Sequence, residues 1–199
     1  MHSVLSSFAL SGAPVSSEPY GSGHINGTQL VCCENGARYI LQHINTNVFR
    51  KPEALMRNIE LVTAHLRTKV SDPRGVLQLV MTHAGASYAV DGGEYWRVYE
   101  LVENSVCYQS ADRALFYESA VAFGRFQNQL ADFPATLLVE TIPHFHDTPA
   151  RYTAFYRAID DNTADRCGEV LREIDFVHAR AAFSHTLTDL QAAGELPLR

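Results

Sequence analysis

The 199-residue sequence predicts an α+β fold in which a mostly antiparallel sheet with one inserted helix precedes a run of helices. Three observations predict it. Two β-rich runs flank Asn35-Gly36, and Asn-Gly in that setting is the strongest short-range hairpin signal. Shortly after the hairpin, Leu55, Ile59, Val62 and Leu66 recur at the spacing of one helix face. Beyond about residue 110 the apolar residues return at helical intervals almost to the end of the chain.

Taken in order, the first 16 residues are rich in Ser, Ala and Gly and lack periodicity, apart from Phe8-Ala9-Leu10, which suits a helix turn. Residues 1–18 are therefore expected to form a poorly defined docking segment. From Pro19 to Asn45 the texture is that of strands, with His24 to Cys33 and Ala37 to Ile44 meeting at Asn35-Gly36. Pro52 opens a helix expected over about 52–69, which Asp72-Pro73-Arg74-Gly75 breaks. Val76 to Val80 and Trp96 to Val102 read as strands around the turn Asp91-Gly92-Gly93. A helix over about 111–131 places Phe116, Ala120, Phe123 and Leu130 on one face, where Phe116, Phe123 and Phe126 are expected in the core. Asp147-Thr148-Pro149 has the form of a cap and first turn, opening a helix that buries Tyr152, Phe155 and Ile159. A last helix over about 164–192 carries Val170, Ile174, Val177 and Ala181.

Composition narrows the function. With 46% apolar residues the chain can bury a sizeable core, and its net charge of −6 comes without any Lys/Arg run. No electrostatic footprint for nucleic acid or an anionic membrane surface follows. The N-terminus lacks a cationic leader region and no apolar run approaches the ~18 residues of a membrane span, so a cytoplasmic location is expected. Cys32, Cys33, Cys107 and Cys167 show no Cys-x-x-Cys spacing and are read as reduced packing residues, not as a zinc site or a disulfide framework.

The chemistry-bearing candidates begin with Tyr20-Gly21-Ser22-Gly23-His24-Ile25-Asn26-Gly27-Thr28, three glycines within seven residues between two strands. Glycines let a backbone approach an anion and aim N–H groups at it, although an ordinary hairpin has the same composition. No Gly-Lys-[Ser/Thr] and no helix-opening Gly-x-Gly-x-x-Gly occurs. His144-x-His146 would suit a metal were the two on one strand face, but structural histidines account for it. Asp160-Asp161-Asn162 begins like a calcium loop, yet Ala164 and Asp165 stand where an oxygen ligand and Gly are required.

The order of elements adds a further signal. A Gly-rich hairpin, further strands around one helix, then the acidic-apolar linker Tyr99-Glu100-Leu101-Val102-Glu103-Asn104 match a kinase N-lobe. Gly21-Ser22-Gly23-His24-Ile25-Asn26-Gly27-Thr28, Tyr39-Ile40-Leu41-Gln42-His43-Ile44-Asn45-Thr46-Asn47-Val48-Phe49 and Pro52-Glu53-Ala54-Leu55-Met56-Arg57-Asn58-Ile59 carry a closer resemblance. So do Trp96-Arg97-Val98-Tyr99, Phe123-Gly124-Arg125-Phe126-Gln127 and Thr141-Ile142-Pro143-His144-Phe145-His146-Asp147-Thr148-Pro149-Ala150-Arg151. Together these blocks, spread over residues 20–199, resemble the N-terminal portion of the N-acetylhexosamine 1-kinase branch of the aminoglycoside phosphotransferase/choline kinase superfamily.

The resemblance implies a protein-kinase-like fold, with a nucleotide-binding N-lobe over 1–103 and the incomplete helical start of a C-lobe over 104–199. It implies transfer of the γ-phosphoryl of ATP, with Mg²⁺, to a sugar hydroxyl, or in the alternative to an amino-alcohol or aminoglycoside. Gly21, Ser22, Gly23, His24, Asn26, Thr28 and Gln42 would meet the phosphates, and Glu100, Leu101, Val102 and Glu103 the adenine. His24 could equally be a solvent-facing turn histidine. Gln42 or His43 stands near the place of the strand Lys that grips phosphates in kinases, and Glu60 is either the helix Glu or a solvated face residue.

The His-x-Asp-x-x-x-x-Asn loop that supplies the base in this superfamily does not occur in the sequence; five residues after Asp147 stands Tyr152. No catalytic residue is therefore assigned. Gly194-Glu195-Leu196-Pro197-Leu198-Arg199 is expected to lead toward that loop, with the Mg²⁺ ligands beyond residue 199. The chain alone is expected to be inactive, a non-catalytic protein with weak nucleotide binding being a further alternative. Its helices are expected to expose an apolar face through which copies associate.

Overall fold

A computed structural model describes residues 3–196; Pro197-Leu198-Arg199, expected to lead toward the catalytic loop, lies outside them. Six strands form one antiparallel sheet: β1 (Pro14–Pro19), β2 (Gly27–Cys33), β3 (Arg38–Ile44), β4 (Leu79–Val80), β5 (Ala89–Asp91) and β6 (Glu94–Glu100). β1, β2, β3 and β6 are consecutive neighbours, and β4 and β5 share the far edge of β6. Helix α1 (Pro52–Arg67) lies between β3 and β4 in the chain, and α2 (Arg113–Gln129), α3 (Thr148–Asp161), α4 (Leu171–His178) and α5 (Thr186–Ala192) follow the sheet.

The Asn35-Gly36 turn joins β2 to β3 as expected, with Gly36 in the left-handed region at φ 85° and Asn35 Oδ1 accepting the Ala37 N–H at 3.1 Å. A second hairpin joins β1 to β2 through the glycine segment. The first strand of that hairpin carries no alternating pattern, because β1 is an edge strand that is mostly solvated.

Directly opposite residues of an antiparallel sheet share a face. Val31, Cys33, Tyr39, Leu41 and Val98 therefore build one apolar face, and Val4, Leu5 and Phe8 close over it. This corrects the expectation for residues 1–18. Ser3–Ser7 is a 3₁₀ helix whose Leu5, with Phe8, is only 2% exposed, and Phe8 bridges to Thr82 to extend the sheet. Cys33 belongs to this core while Cys32 points to the other face; Cys107 is exposed and is not a packing residue.

The opposite sheet face carries Thr28, Gln42, Arg97 and Tyr95. Helix α1 meets it, with Met56 beside Arg97 and Glu53 accepting a hydrogen bond from Tyr95. Pro52 occupies the first turn of α1, as expected, and the buried stripe runs through Met56, Thr63 and Leu66.

The described residues divide into two compact units, one ending at Thr141 and the other beginning at Ile142. In the first, α2 and the segment after it are tied to α1: Lys69 pairs with Asp132, and Asn58 exchanges hydrogen bonds with Val139. Phe116, Phe123 and Phe126 are not core residues as expected: the first two are 69% and 68% exposed, so the apolar stripe of α2 faces outward.

In the second unit Asp147 caps α3 as expected, accepting the Ala150 N–H at 2.9 Å, and Tyr152, Phe155 and Ile159 are half-buried. The single helix expected over 164–192 is instead broken into α4, α5 and short 3₁₀ turns. Side chains end α4. Tyr152 donates to the Val177 carbonyl at 3.1 Å, and Arg180 folds back over the Phe176 ring to donate to the Phe176 carbonyl at 2.9 Å.

Candidate functional site

The glycine segment is the connection of a β-hairpin whose two strands pair over Pro19↔Gln29 and Glu18↔Leu30. Tyr20 N–H donates to the Thr28 carbonyl at 3.0 Å and closes the base of the loop. Gly21 adopts φ 76°, a left-handed conformation that a side chain would resist, and residues 21–25 are exposed. A Cβ placed on Gly21 or Gly23 would meet nothing within 4 Å, so the loop stands over open space.

Asparagines brace the far side of the loop. Asn26 Oδ1 accepts the Asn45 N–H at 3.0 Å, and Asn45 Nδ2 donates to the Ile25 carbonyl at 3.1 Å. Asn26 therefore serves as a strut between the loop and the end of β3, with its side-chain oxygen committed. Asn45 lay within the resemblance but was not among the predicted site residues; an Asn directly after a strand, able to hydrogen-bond both backbone groups of a neighbouring turn, is the signal that could have found it.

From the loop a polar line crosses the sheet. Thr28, Gln42 and Arg97 stand directly opposite one another on β2, β3 and β6. Gln42 Nε2 donates to Thr28 Oγ1 at 3.0 Å, and Gln42 Oε1 accepts from Arg97 Nε and Nη2 at 2.9 and 2.5 Å. Of the two residues considered for the place of a strand Lys, Gln42 lies on the face of the glycine loop's Thr28. His43 points to the other face, stacked against Trp96 and paired with Glu94 Oε2 at 2.6 Å.

Burial pushes the Arg97 guanidinium below its ordinary value, and the neighbouring Tyr99 works in the opposite sense. The Tyr99 hydroxyl is raised, again chiefly by burial. Sequence reasoning passed over Arg97 as a site residue. Its signal was a lone cation inside the apolar strand Tyr95-Trp96-Arg97-Val98-Tyr99.

The predicted linker begins at Glu100, the last residue of β6. Glu100 N–H donates to the Gln78 carbonyl and Leu101 N–H to the Arg38 carbonyl. The Glu103 carboxylate forms a two-pronged ion pair with Arg38, which raises the Arg38 pKa, and Arg74 donates to the Glu103 carbonyl at 3.0 Å. The Ser105 hydroxyl donates to the Val102 carbonyl at 2.6 Å. These bonds hold the linker against the sheet and leave the Val102 and Glu103 N–H groups without an acceptor among the described residues.

Other candidates separate from this site. His24 is exposed on the loop, and Glu60 is exposed on α1. His144 and His146 occupy a turn, with His144 Nδ1 against Asp147 Oδ2 at 3.0 Å, so no shared strand face exists for a metal. Among the described residues no group of three or more His, Cys, Asp or Glu side chains converges as a metal site, and no helix is long and apolar enough to cross a membrane.

No family model matches the sequence. Among solved structures, the fold is similar to that of an aminoglycoside phosphotransferase from Alicyclobacillus acidocaldarius, with a TM-score of 0.53 and 18% identity over 77% of this chain. The chain spans 41% of that protein's length. A six-stranded antiparallel sheet with a glycine hairpin at its leading edge, an inserted helix and a following helical segment thus gives this chain an α+β, kinase-like fold shared with a phosphotransferase.

Proposed function

We propose that this chain is the nucleotide-binding portion of an ATP-dependent small-molecule kinase, with residues 1–103 as the N-lobe and 104–199 as the start of the helical lobe. The observation that carries the reading is the glycine hairpin over open space, joined through Thr28 and Gln42 to a cation on the same sheet face. An exposed glycine loop linked through Thr28 and Gln42 to a guanidinium suits a triphosphate. In this reading Gly21, Ser22, Gly23 and His24 lie over the phosphates, Asn26 and Thr28 fasten the loop, and Gln42 sits beneath it. The free N–H groups of Val102 and Glu103, next to Glu100 and Leu101, serve the adenine edge.

The reading assigns nucleotide contacts but no magnesium ligand: no group of three or more His, Cys, Asp or Glu side chains converges among the described residues. With no His-x-Asp-x-x-x-x-Asn pattern in the sequence, this reading assigns no base to orient an acceptor hydroxyl for attack. The chain by itself therefore binds and positions a nucleotide without transferring its phosphoryl group. For the acceptor we propose an N-acetylhexosamine, on the resemblance of the sequence blocks. An aminoglycoside or amino-alcohol is the second reading, favoured by the phosphotransferase whose fold matches. A cytoplasmic location and self-association through the exposed face of α2 complete the proposal.

Calorimetric titration with ATP tests it. Saturable binding is expected, together with no phosphoryl transfer to N-acetylglucosamine above the buffer background. Absence of ATP binding overturns the nucleotide reading, and turnover overturns the proposal that the chain alone transfers no phosphoryl group.

A further inference from the structure

Arg97 is a half-buried cation with no ion-pair partner among the described residues. The ion pairs of the first unit involve Arg38, His43, His65 and Lys69, and none among the described residues includes Arg97. Its partners are the neutral Gln42 amide oxygen and, at 3.9 Å from Nη1, the weakly accepting Met56 sulfur. A guanidinium has five N–H donors and stays charged in proteins, so one amide oxygen and one thioether leave both its charge and part of its donor set uncompensated. Removing such a charge from water is costly unless an anion comes to meet it.

The direction in which that anion lies is set by the sheet. Arg97, Gln42 and Thr28 occupy one row across β6, β3 and β2, and Thr28 is where the glycine hairpin re-enters β2. Gln42 accepts two N–H groups from Arg97 while its own amide donates to Thr28, which fixes both the amide orientation and the plane of the guanidinium. The positive charge is thus two hydrogen bonds away from the loop. Gln42 cannot itself neutralise a phosphate; the cation stands one strand further along the same row.

We propose that Arg97 receives the phosphate chain of the bound nucleotide and that Gln42 is the positioning residue that aims it. The assignment rests on the nucleotide-binding reading above. It gives the half-buried guanidinium a partner of the right charge, and the planar N–H fork of Arg matches phosphate oxygens two at a time. Arg97 does the electrostatic work expected of a strand Lys, from the neighbouring strand.

The test compares the unaltered chain with Arg97→Met, Arg97→Gln and Arg97→Lys, each titrated with ATP and with adenosine and each melted without ligand. Arg97→Met is expected to weaken ATP binding about ten- to a hundredfold, the worth of a charge-assisted hydrogen bond, and to leave adenosine binding unchanged. Without ligand it should melt at the same or a higher temperature, because an apolar side chain of similar length replaces a half-buried charge with no ion-pair partner among the described residues. Arg97→Gln, which keeps a donor for Gln42, should show the same split between ATP and adenosine. Arg97→Lys should recover part of the ATP affinity.

Unchanged ATP affinity in both neutral variants overturns the proposal. So does a joint loss of ATP and adenosine binding with a lowered melting temperature, which would make Arg97 structural. If the unaltered chain binds adenosine and ATP equally, the phosphate contact falls and the adenine site stands. If it binds neither, the nucleotide reading falls and takes this assignment with it.

Discussion

Asn58 and Val139 pair as two strands would: the Asn58 amide donates to the Val139 carbonyl at 2.7 Å, and the Val139 N–H donates back to Asn58 Oδ1 at 3.0 Å. A side chain on α1 thus mimics a backbone and fastens a segment 81 residues away in sequence. Asn58→Asp keeps the acceptor for Val139 N–H and sets a carboxylate against the Val139 carbonyl. It should cost about 0.5–1.5 kcal/mol locally and speed exchange of the Val139 amide. Hydrogen exchange read residue by residue checks this; an unchanged Val139 rate would show that the pair carries no stability.

Phe8 is expected to behave as a central core residue. Phe8→Ala should destabilise the first unit by about 3–5 kcal/mol, the range for deleting a buried aromatic ring. Urea unfolding followed by the fluorescence of Trp96, which packs against the same cluster, provides the measurement. A loss below about 1 kcal/mol would mean that the N-terminal segment is an accessory and not part of the core.

Acid should loosen the start of α3 in a way that Asp147 determines. Its carboxyl is held below the ordinary value of 3.8, first by the Ala150 backbone N–H and then by the His144 hydrogen bond. A depressed folded value means that the unfolded chain takes up the proton at the higher pH. The stabilisation is therefore complete above that ordinary value and is lost as pH falls through the lower folded one. The Ala150 amide should lose protection in that window. Asp147→Asn, which keeps an acceptor and has no proton to take up, should remove this pH dependence.

The outward stripe of α2 makes a prediction about association. Phe116 and Phe123 are both about two-thirds exposed on one helix, and contiguous apolar surface of that kind promotes contact between copies. Sedimentation should show mass increasing with concentration, and Phe116→Ser combined with Phe123→Ser should suppress it. A concentration-independent monomer would remove this face as a contact surface.

What could be read from the sequence was whatever local chemistry decides alone. Asn35-Gly36, Pro52 at the start of α1 and Asp147 at the start of α3 act within four residues of themselves, and each stands where expected. What escaped was decided by distant partners. No Gly or Pro interrupts residues 169–193, so the end of α4 was invisible until Tyr152 and Arg180 were seen to take its carbonyls. Val4, Leu5 and Phe8 have no period because a short 3₁₀ turn displays none; only the face of β2, β3 and β6 tells them where to go. Within the candidate site, the glycine segment declared itself by composition. The Gln42–Arg97 pair required knowledge of strand register, which sequence spacing does not contain.

Among the described residues β1 is an edge strand with no neighbour on its outer side, an invitation for another chain to add a strand. Pro14 and Pro19 bracket it, neither with an N–H to offer, and the register slips between Pro14 and Ser16. A visiting strand would find donors missing at both ends and a kink at one. The same strand is the fixed rail of the glycine hairpin, so the features that discourage cross-chain pairing also keep the loop's anchoring side clear.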